Sequence, residues 1–176
     1  AGYSNLTNKQ PMDGRYTFRI GSNTKTFTGT VLLQLVDEGK LALNDKLSKY
    51  FPEYPKADSI TIAMLCNMSS GIYNYSDTQS WYDKLLSEPA KVWTPQESID
   101  IGFSEDFYFS PGKGWYYSNT NTLILGLIIE KLTGNSLESE IQNRIVKPLR
   151  LSYTGLLTSG LDFPGTHGRG YYFGEY

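Results

Sequence analysis

The sequence predicts a mixed α/β (α+β) domain that opens on a strand and turns helical after roughly its first twenty residues. Three observations carry this. Tyr16, Phe18 and Ile20 alternate as one face of a strand does. Phe27, Val31, Leu32, Leu35 and Val36 then recur at helical spacing. Leu123 to Leu132 is apolar almost all round, as in a helix buried on every side. The chain has 176 residues, 39% hydrophobic and 19% charged, which suits one domain with a real core and excludes a disordered composition.

In order along the chain, the first helix runs roughly from Thr24 to Glu38 and stops at Gly39, a residue favoured just past a helix end. Leu41 to Phe51 continues the helical pattern until Pro52 and Pro55 break it. Thr61 to Asn67 reads as a short helix closed by Ser69-Ser70-Gly71. Thr94-Pro95-Gln96-Glu97 supplies an N-cap threonine, proline at the first helical position and a glutamate to complete a capping box. The apolar helix ends at Gly134. Ser136 caps a last helix in which Leu137, Ile141 and Ile145 stack at i+4, with Pro148 at its end. Beyond Ser152 the chain is rich in Gly and Tyr and reads as loop with room for one strand. There is no internal repeat.

Composition removes several function classes. The net charge is −2 and there is no basic run, so nothing favours nucleic acid. The longest apolar run, Leu123 to Ile129, is far too short to span a bilayer. No signal peptide is visible at Ala1, and a processed chain would lack one in any case. Cys66 is the single cysteine, so no internal disulfide forms; within the apolar stretch Ile60 to Met68 it reads as a buried, inert thiol. His167 is the single histidine, and one His with one Cys falls short of a zinc set. Carboxylate-only calcium or magnesium sites remain open, but no spaced Asp cluster suggests one.

Chemistry gathers at two places. In Ser22-Asn23-Thr24-Lys25, at the strand-to-helix junction, a serine three residues before a lysine places both side chains on one helical face. Serine needs such a neighbour to become a nucleophile, and the helix N-terminus adds positive potential beneath it. The other reading is a plain N-cap with a solvated lysine. About one such four-residue match is expected by chance in a chain of this length, and Ser110-Pro111-Gly112-Lys113 is a second one; its Pro-Gly makes it a turn. The second place is Tyr117-Ser118-Asn119, directly before the apolar helix. A tyrosine beside a cation can act as a general base, and an asparagine amide can hold a peptide-like group. Packed aromatic and helix cap are the structural alternatives.

Taken together, these segments resemble the serine β-lactamase and penicillin-binding protein superfamily, and within it the branch of D-Ala-D-Ala carboxypeptidases, D-aminopeptidases, alkaline D-peptidases and class C β-lactamases. Phe18 to Lys25 is similar to the first motif with its flanks; Leu35 to Leu41, with Leu43 and Asp45, to the segment after the nucleophile helix. Ile60-Thr61-Ile62 through Ser70-Gly71 resembles the family's threonine-capped helix. Pro111-Gly112 leading to Tyr117-Ser118-Asn119 resembles the second motif, and Pro148-Leu149 the close of the helical region. The resemblance implies a β-lactamase/transpeptidase-like fold, an antiparallel sheet lobe with an inserted all-helical lobe. It implies Ser22 as nucleophile, Lys25 and Tyr117 as proton shuttles, Asn119 on the substrate amide and the Ser22 backbone N–H as one oxyanion donor. Expected substrates are D-configured peptides, amides, β-lactams or esters, with neither metal nor cofactor; a β-lactamase or esterase of the same family, a non-turnover penicillin-binding or sensing module, an inactive fragment, and a helical interaction domain in which both motifs are caps are the alternatives. An extracytoplasmic location follows from the family alone.

Three departures stand out. Met68 occupies a family histidine position, and Arg150 a usual glycine. The family's third motif, Lys-Thr-Gly or His-x-Gly on a late strand, is not found. His167-Gly168-Arg169-Gly170 lies only 48 residues after Asn119, far too soon, and Arg169-Gly170-Tyr171 resembles a stretch just after the helical region instead. Family chains run to roughly twice this length. Residues 1–176 are therefore expected to form one incomplete domain: first strands and nucleophile helix in 1–50, helical lobe in 51–150, and a return towards the sheet in 151–176. The third motif would come from a complementary piece. Since losing one oxyanion donor costs about 10²–10³ in rate, these residues alone are expected to be nearly inert.

Overall fold

The computed structural model describes residues 2–158 and 165–170. A short antiparallel hairpin, β1 (Tyr3–Asn5) and β2 (Gln10–Pro11), leads to a 3₁₀ turn at Gly21–Asn23 and then α1 (Thr24–Asp37). The helical part follows as α2 (Ile62–Cys66), α3 (Gln79–Ser87), α4 (Pro95–Ser104), α5 (Asn119–Thr133) and α6 (Leu137–Ile141), which runs on into a π turn at Gln142–Val146.

The fold is organised around α5. Ile124, Leu125, Ile128 and Ile129 are buried, and the helix packs against α1, α2 and α4. Facing it are Val31, Leu32 and Leu35 of α1, Ile62 and Leu65 of α2, and Ile99 of α4. Helix ends follow the local chemistry. Thr94 and Glu97 form the full capping box, with Pro95 opening α4. Thr61 caps α2 and Ser136 caps α6 through their hydroxyls. Gly134 closes α5 in the left-handed conformation, φ 71°.

Three expectations need correction. Residues 41–51 form loop around a single 3₁₀ turn, Leu47–Lys49, rather than a helix. Two N–H groups are taken across the chain, Leu47 N donating to Ile60 O (2.9 Å) and Ser48 N to Ala57 O (3.2 Å), while Asp45 accepts from Ala42 N, Lys49 Nζ and Tyr50 Oη. The apolar spacing is real, since Leu41, Leu47 and Tyr50 are buried, but no i→i−4 ladder accompanies it. Residues 16–20 do not form a regular strand. Thr17 makes an isolated parallel bridge with His167, and Phe18 and Ile20 stand 56% and 45% exposed; alternation without a paired neighbour leaves a strand face uncovered. Cys66 is exposed, not buried. Its sulfur is nonetheless crowded enough that desolvation raises the thiol pKa to about 11, so it stays protonated and unreactive.

After Ser152 the described residues are turn and loop, with His167 in its bridge to Thr17 and its Nδ1 against Gly165 O (3.0 Å). Residues 159–164 and 171–176, Tyr171 among them, lie outside the described residues. Met68 and Arg150 both adopt positive φ, 64° and 53°. At Arg150 this explains why glycine suits the position: the Pro148-Leu149-Arg150 turn needs the left-handed region that a side chain disfavours. At Met68 the thioether accepts from the Asn121 amide (3.3 Å), a satisfied packing role.

Candidate active site

Two helix beginnings meet here. The turn at Gly21–Asn23 lifts Ser22 to the head of α1, and Lys25 follows one turn later. Tyr117 arrives on the extended segment before α5, and Asn119 is the first residue of that helix. Ser22 Oγ lies 2.7 Å from Tyr117 Oη and accepts from Lys25 Nζ at 3.1 Å. Lys25 Nζ also sits 4.9 Å from the centre of the Tyr117 ring. Ser22 is thus no N-cap: its hydroxyl is turned away from the helix backbone towards Tyr117 and Lys25, and α1 begins with no side-chain cap at all. The second Ser-x-x-Lys match, at Ser110, is the turn that its Pro-Gly demands.

The electrostatics single out Tyr117. Burial pushes its phenol up, but hydrogen bonds with Lys25 and Ser22, together with the Lys25 charge, outweigh that and hold its pKa below the ordinary tyrosine value. The group remains 37% exposed, open to an incoming ligand.

The α5 end of the site is held from a distance in sequence. Asn74 Oδ1 accepts from the Asn119 backbone N–H at 2.9 Å, capping α5 from another segment. Ser118 Oγ and Thr120 Oγ1 both donate to Tyr73 O, at 3.2 and 2.7 Å, and Tyr75 N donates back to Thr120 Oγ1 at 3.1 Å. Asn119 Nδ2 donates to Ser76 Oγ at 3.0 Å. Asn74 and Ser76 were not singled out from sequence, and nothing local could have exposed them, since they act on residues more than forty positions away.

Beside Lys25 and Asn119 opens a cavity of about 280 Å³ between α1 and α5, mostly apolar, bordered by Tyr75, Pro95, Leu123 and Leu127. Of the nearby aromatics Tyr73, Tyr75, Trp81 and Trp93, Tyr75 alone borders it. Trp81 packs edge-on to Tyr75 with ring centres 5.5 Å apart, Trp93 lies behind Trp81 at 6.1 Å, and Tyr73 stacks on Tyr108 at 4.6 Å. Among the described residues no group of three or more His, Cys, Asp and Glu side chains is arranged to hold a metal ion, and no helix is long and apolar enough to cross a membrane.

The family model described as Beta-lactamase matches residues 1–172. The chain belongs to the β-lactamase family. Its relatives agree. This β-lactamase-family chain is 32% identical over 155 residues to "Penicillin-binding protein 4*" of Bacillus subtilis, a match covering 87% of the chain and 33% of that protein. It is 34% identical over 158 residues to "Protein flp" of Staphylococcus aureus, covering 87% and 30%. Among solved structures, D-amino acid amidase from Ochrobactrum anthropi SV3 superposes with a TM-score of 0.84 at 33% identity, over 97% of this chain and 47% of that one. A D-stereospecific amidohydrolase from Streptomyces sp. gives 0.77 at 37%, over 81% and 45%. The fold is therefore β-lactamase-like, here mostly helical with a small antiparallel sheet. The chain spans about a third of the length of these curated relatives and just under half of these solved chains.

Proposed function

We propose that the protein carrying this chain is a serine hydrolase that forms an acyl-enzyme on D-configured peptides or amino acid amides. The observation that carries the reading is the Ser22–Tyr117–Lys25 contact set, with Oγ 2.7 Å from the phenol oxygen and 3.1 Å from the amine. Ser22 Oγ attacks the substrate carbonyl carbon while its proton passes to the ionised Tyr117 oxygen. Lys25, donating to Oγ, serves as the cation that makes that ionised form accessible. The Ser22 backbone N–H donates to the developing oxyanion. Collapse breaks the C–N bond, Tyr117 returns the proton to the leaving amine, and water discharges the ester by the reverse route. Asn119 holds the amide of the acyl donor.

The amide preference is supported by the two amidohydrolase neighbours, and the penicillin-binding relative supports β-lactams as ligands. The second oxyanion donor and the third motif belong, in this reading, to polypeptide outside residues 1–176, in the same protein or a complementary piece; the exposed apolar side of Phe18, Ile20 and Tyr153 gives such a piece somewhere to pack. An extracytoplasmic site of action is part of the same proposal. Hydrolysis of D-phenylalanine amide, D-Ala-D-Ala peptide, nitrocefin and a short-chain ester by the full-length polypeptide tests it. Turnover of the amide or peptide that disappears in Ser22→Ala is expected; hydrolysis of the ester alone, or activity that survives Ser22→Ala, would contradict it.

A further inference from the structure

The cavity between α1 and α5 leads away from the reacting groups. Lys25 and Asn119 stand at its mouth, and Leu123, Leu127 and Glu130 border it along one face of α5. Asn119 and Glu130 are eleven residues apart on that helix (130 − 119), roughly 16 Å along its axis. Leu137 and Leu156 complete a mostly apolar wall. The volume, about 280 Å³, lies at the small end of ligand pockets, which run from roughly 300 to 1,000 Å³, and suits one long side chain. Two polar groups interrupt the wall. Glu130 Oε1 accepts from the Leu137 backbone N–H at 2.8 Å; among the described residues Oε2 has no hydrogen-bond partner, and no Lys or Arg pairs with the carboxylate. Thr28, 2% exposed, borders the same cavity, and its hydroxyl makes no hydrogen bond among the described residues.

An apolar passage with one unpaired carboxylate oxygen at its far end matches a particular kind of ligand: a flexible hydrocarbon stem that ends in a cation. We infer that Glu130 is a specificity-determining residue, and that the cavity takes the side chain of acyl donors of the D-lysine, D-ornithine or D-arginine type. This rests on the hydrolase reading above. Side chains on a helix lean towards its N-terminal end, so Glu130 is tilted back towards the mouth and an entering cation. Lys25 sets the direction. It repels a cation at the mouth, while Glu130 attracts it at the far end, and the scissile carbonyl is left beside Ser22. The stem buries its methylenes against the leucines and keeps its charge for the carboxylate. A neutral side chain of the same length displaces water from Oε2 and from the Thr28 hydroxyl and returns no hydrogen bond, so it is discriminated against.

The test uses the full-length polypeptide with D-lysine p-nitroanilide and D-norleucine p-nitroanilide, which has the same carbon chain without the ammonium. Wild type is expected to favour the lysine substrate at least about tenfold in kcat/KM. Glu130→Gln keeps an acceptor for the Leu137 N–H and removes the charge; it is expected to abolish that preference, mainly through KM, with the norleucine rate changed by less than about twofold. Leu127→Lys leaves Glu130 and its contact with Leu137 in place but sets a cation one turn away, and it is expected to abolish the preference as well. Labelled penicillin at Ser22 reports whether each variant is folded. A wild type that shows no preference for the lysine substrate, or cleaves neither substrate, would overturn the inference, as would a preference that persists in either folded variant; with Ser22 still acylated by penicillin, the hydrolase reading would stand. A wild type that cleaves neither substrate and takes no penicillin at Ser22 would overturn both.

Discussion

At the scale of single residues, Tyr117 is the group whose protonation matters most. Its pKa is held below the usual tyrosine range, against the effect of burial, by Lys25 and Ser22. Acylation is therefore expected to rise with pH and to level off below the pH at which a free tyrosine ionises; Tyr117→Phe is expected to remove that alkaline rise and cut acylation by about 10²-fold or more, read from stopped-flow pH profiles. Two backbone positions give cleaner tests of conformation. A Cβ on Gly71 would lie 2.1 Å from the Phe109 carbonyl oxygen, with φ at +79°, so Gly71→Ala is expected to cost about 3 kcal/mol or more in denaturant unfolding. Arg150, exposed at φ 53°, has the opposite problem, and Arg150→Gly is expected to raise the melting temperature slightly. Ser22 and Lys25 are readable as a pair from their spacing at the head of an apolar helix; Ser76 is not readable from sequence, because its contact with Asn119 exists only through a turn forty-three residues earlier in the chain that folds against α5.

At the scale of elements, what was legible in the sequence is what local chemistry decides. Thr94, Pro95 and Glu97 fix the start of α4 within one turn, and the capping box forms as the spacing requires. The first-helix spacing places Val31, Leu32 and Leu35 in the core, and Gly134 ends α5. What was not legible depends on partners. Leu41 to Phe51 carries helical spacing but is drawn into a loop that sends the Leu47 and Ser48 N–H groups to Ile60 and Ala57, and Tyr16 to Ile20 alternates without strands to pair with. The cap of α5 was equally hidden, because it comes from Asn74 rather than from Ser118 or Asn119. Asn74→Ala removes that cap and the Asp77 contact together, leaving buried groups unpaired. It is expected to lower stability by about 2 kcal/mol and to reduce acylation more than Thr94→Ala, which is expected to cost about 1 kcal/mol with little kinetic effect.

At the scale of the whole molecule, stability and chemistry share one helix: α5 carries both the central core and the Tyr117-Asn119 end of the site. Ile128→Ala is expected to cost about 2–5 kcal/mol in the same assay. Three surface carboxylates are paired in the folded state. Glu38 is held at a pKa of about 2 by Arg144 and Lys40, Asp45 at about 2 by Lys49 and the Ala42 N–H, and Glu97 at about 2 by the Thr94 N–H and Lys91. Each is lower in the folded state than in the unfolded chain, so between about pH 4.5 and 2 the unfolded state binds more protons. Their stabilisation is complete above that window and is lost as pH falls through it; melting temperatures are expected to be flat near neutrality and to drop steeply below about pH 4. The central claim, that Ser22 is the nucleophile, is tested most directly by exposing the full-length polypeptide to a labelled penicillin and mapping the modified peptide by mass spectrometry. A single adduct on the peptide containing Ser22, absent in Ser22→Ala, is the expected result; an adduct on any other residue, or one that persists in Ser22→Ala, would contradict it.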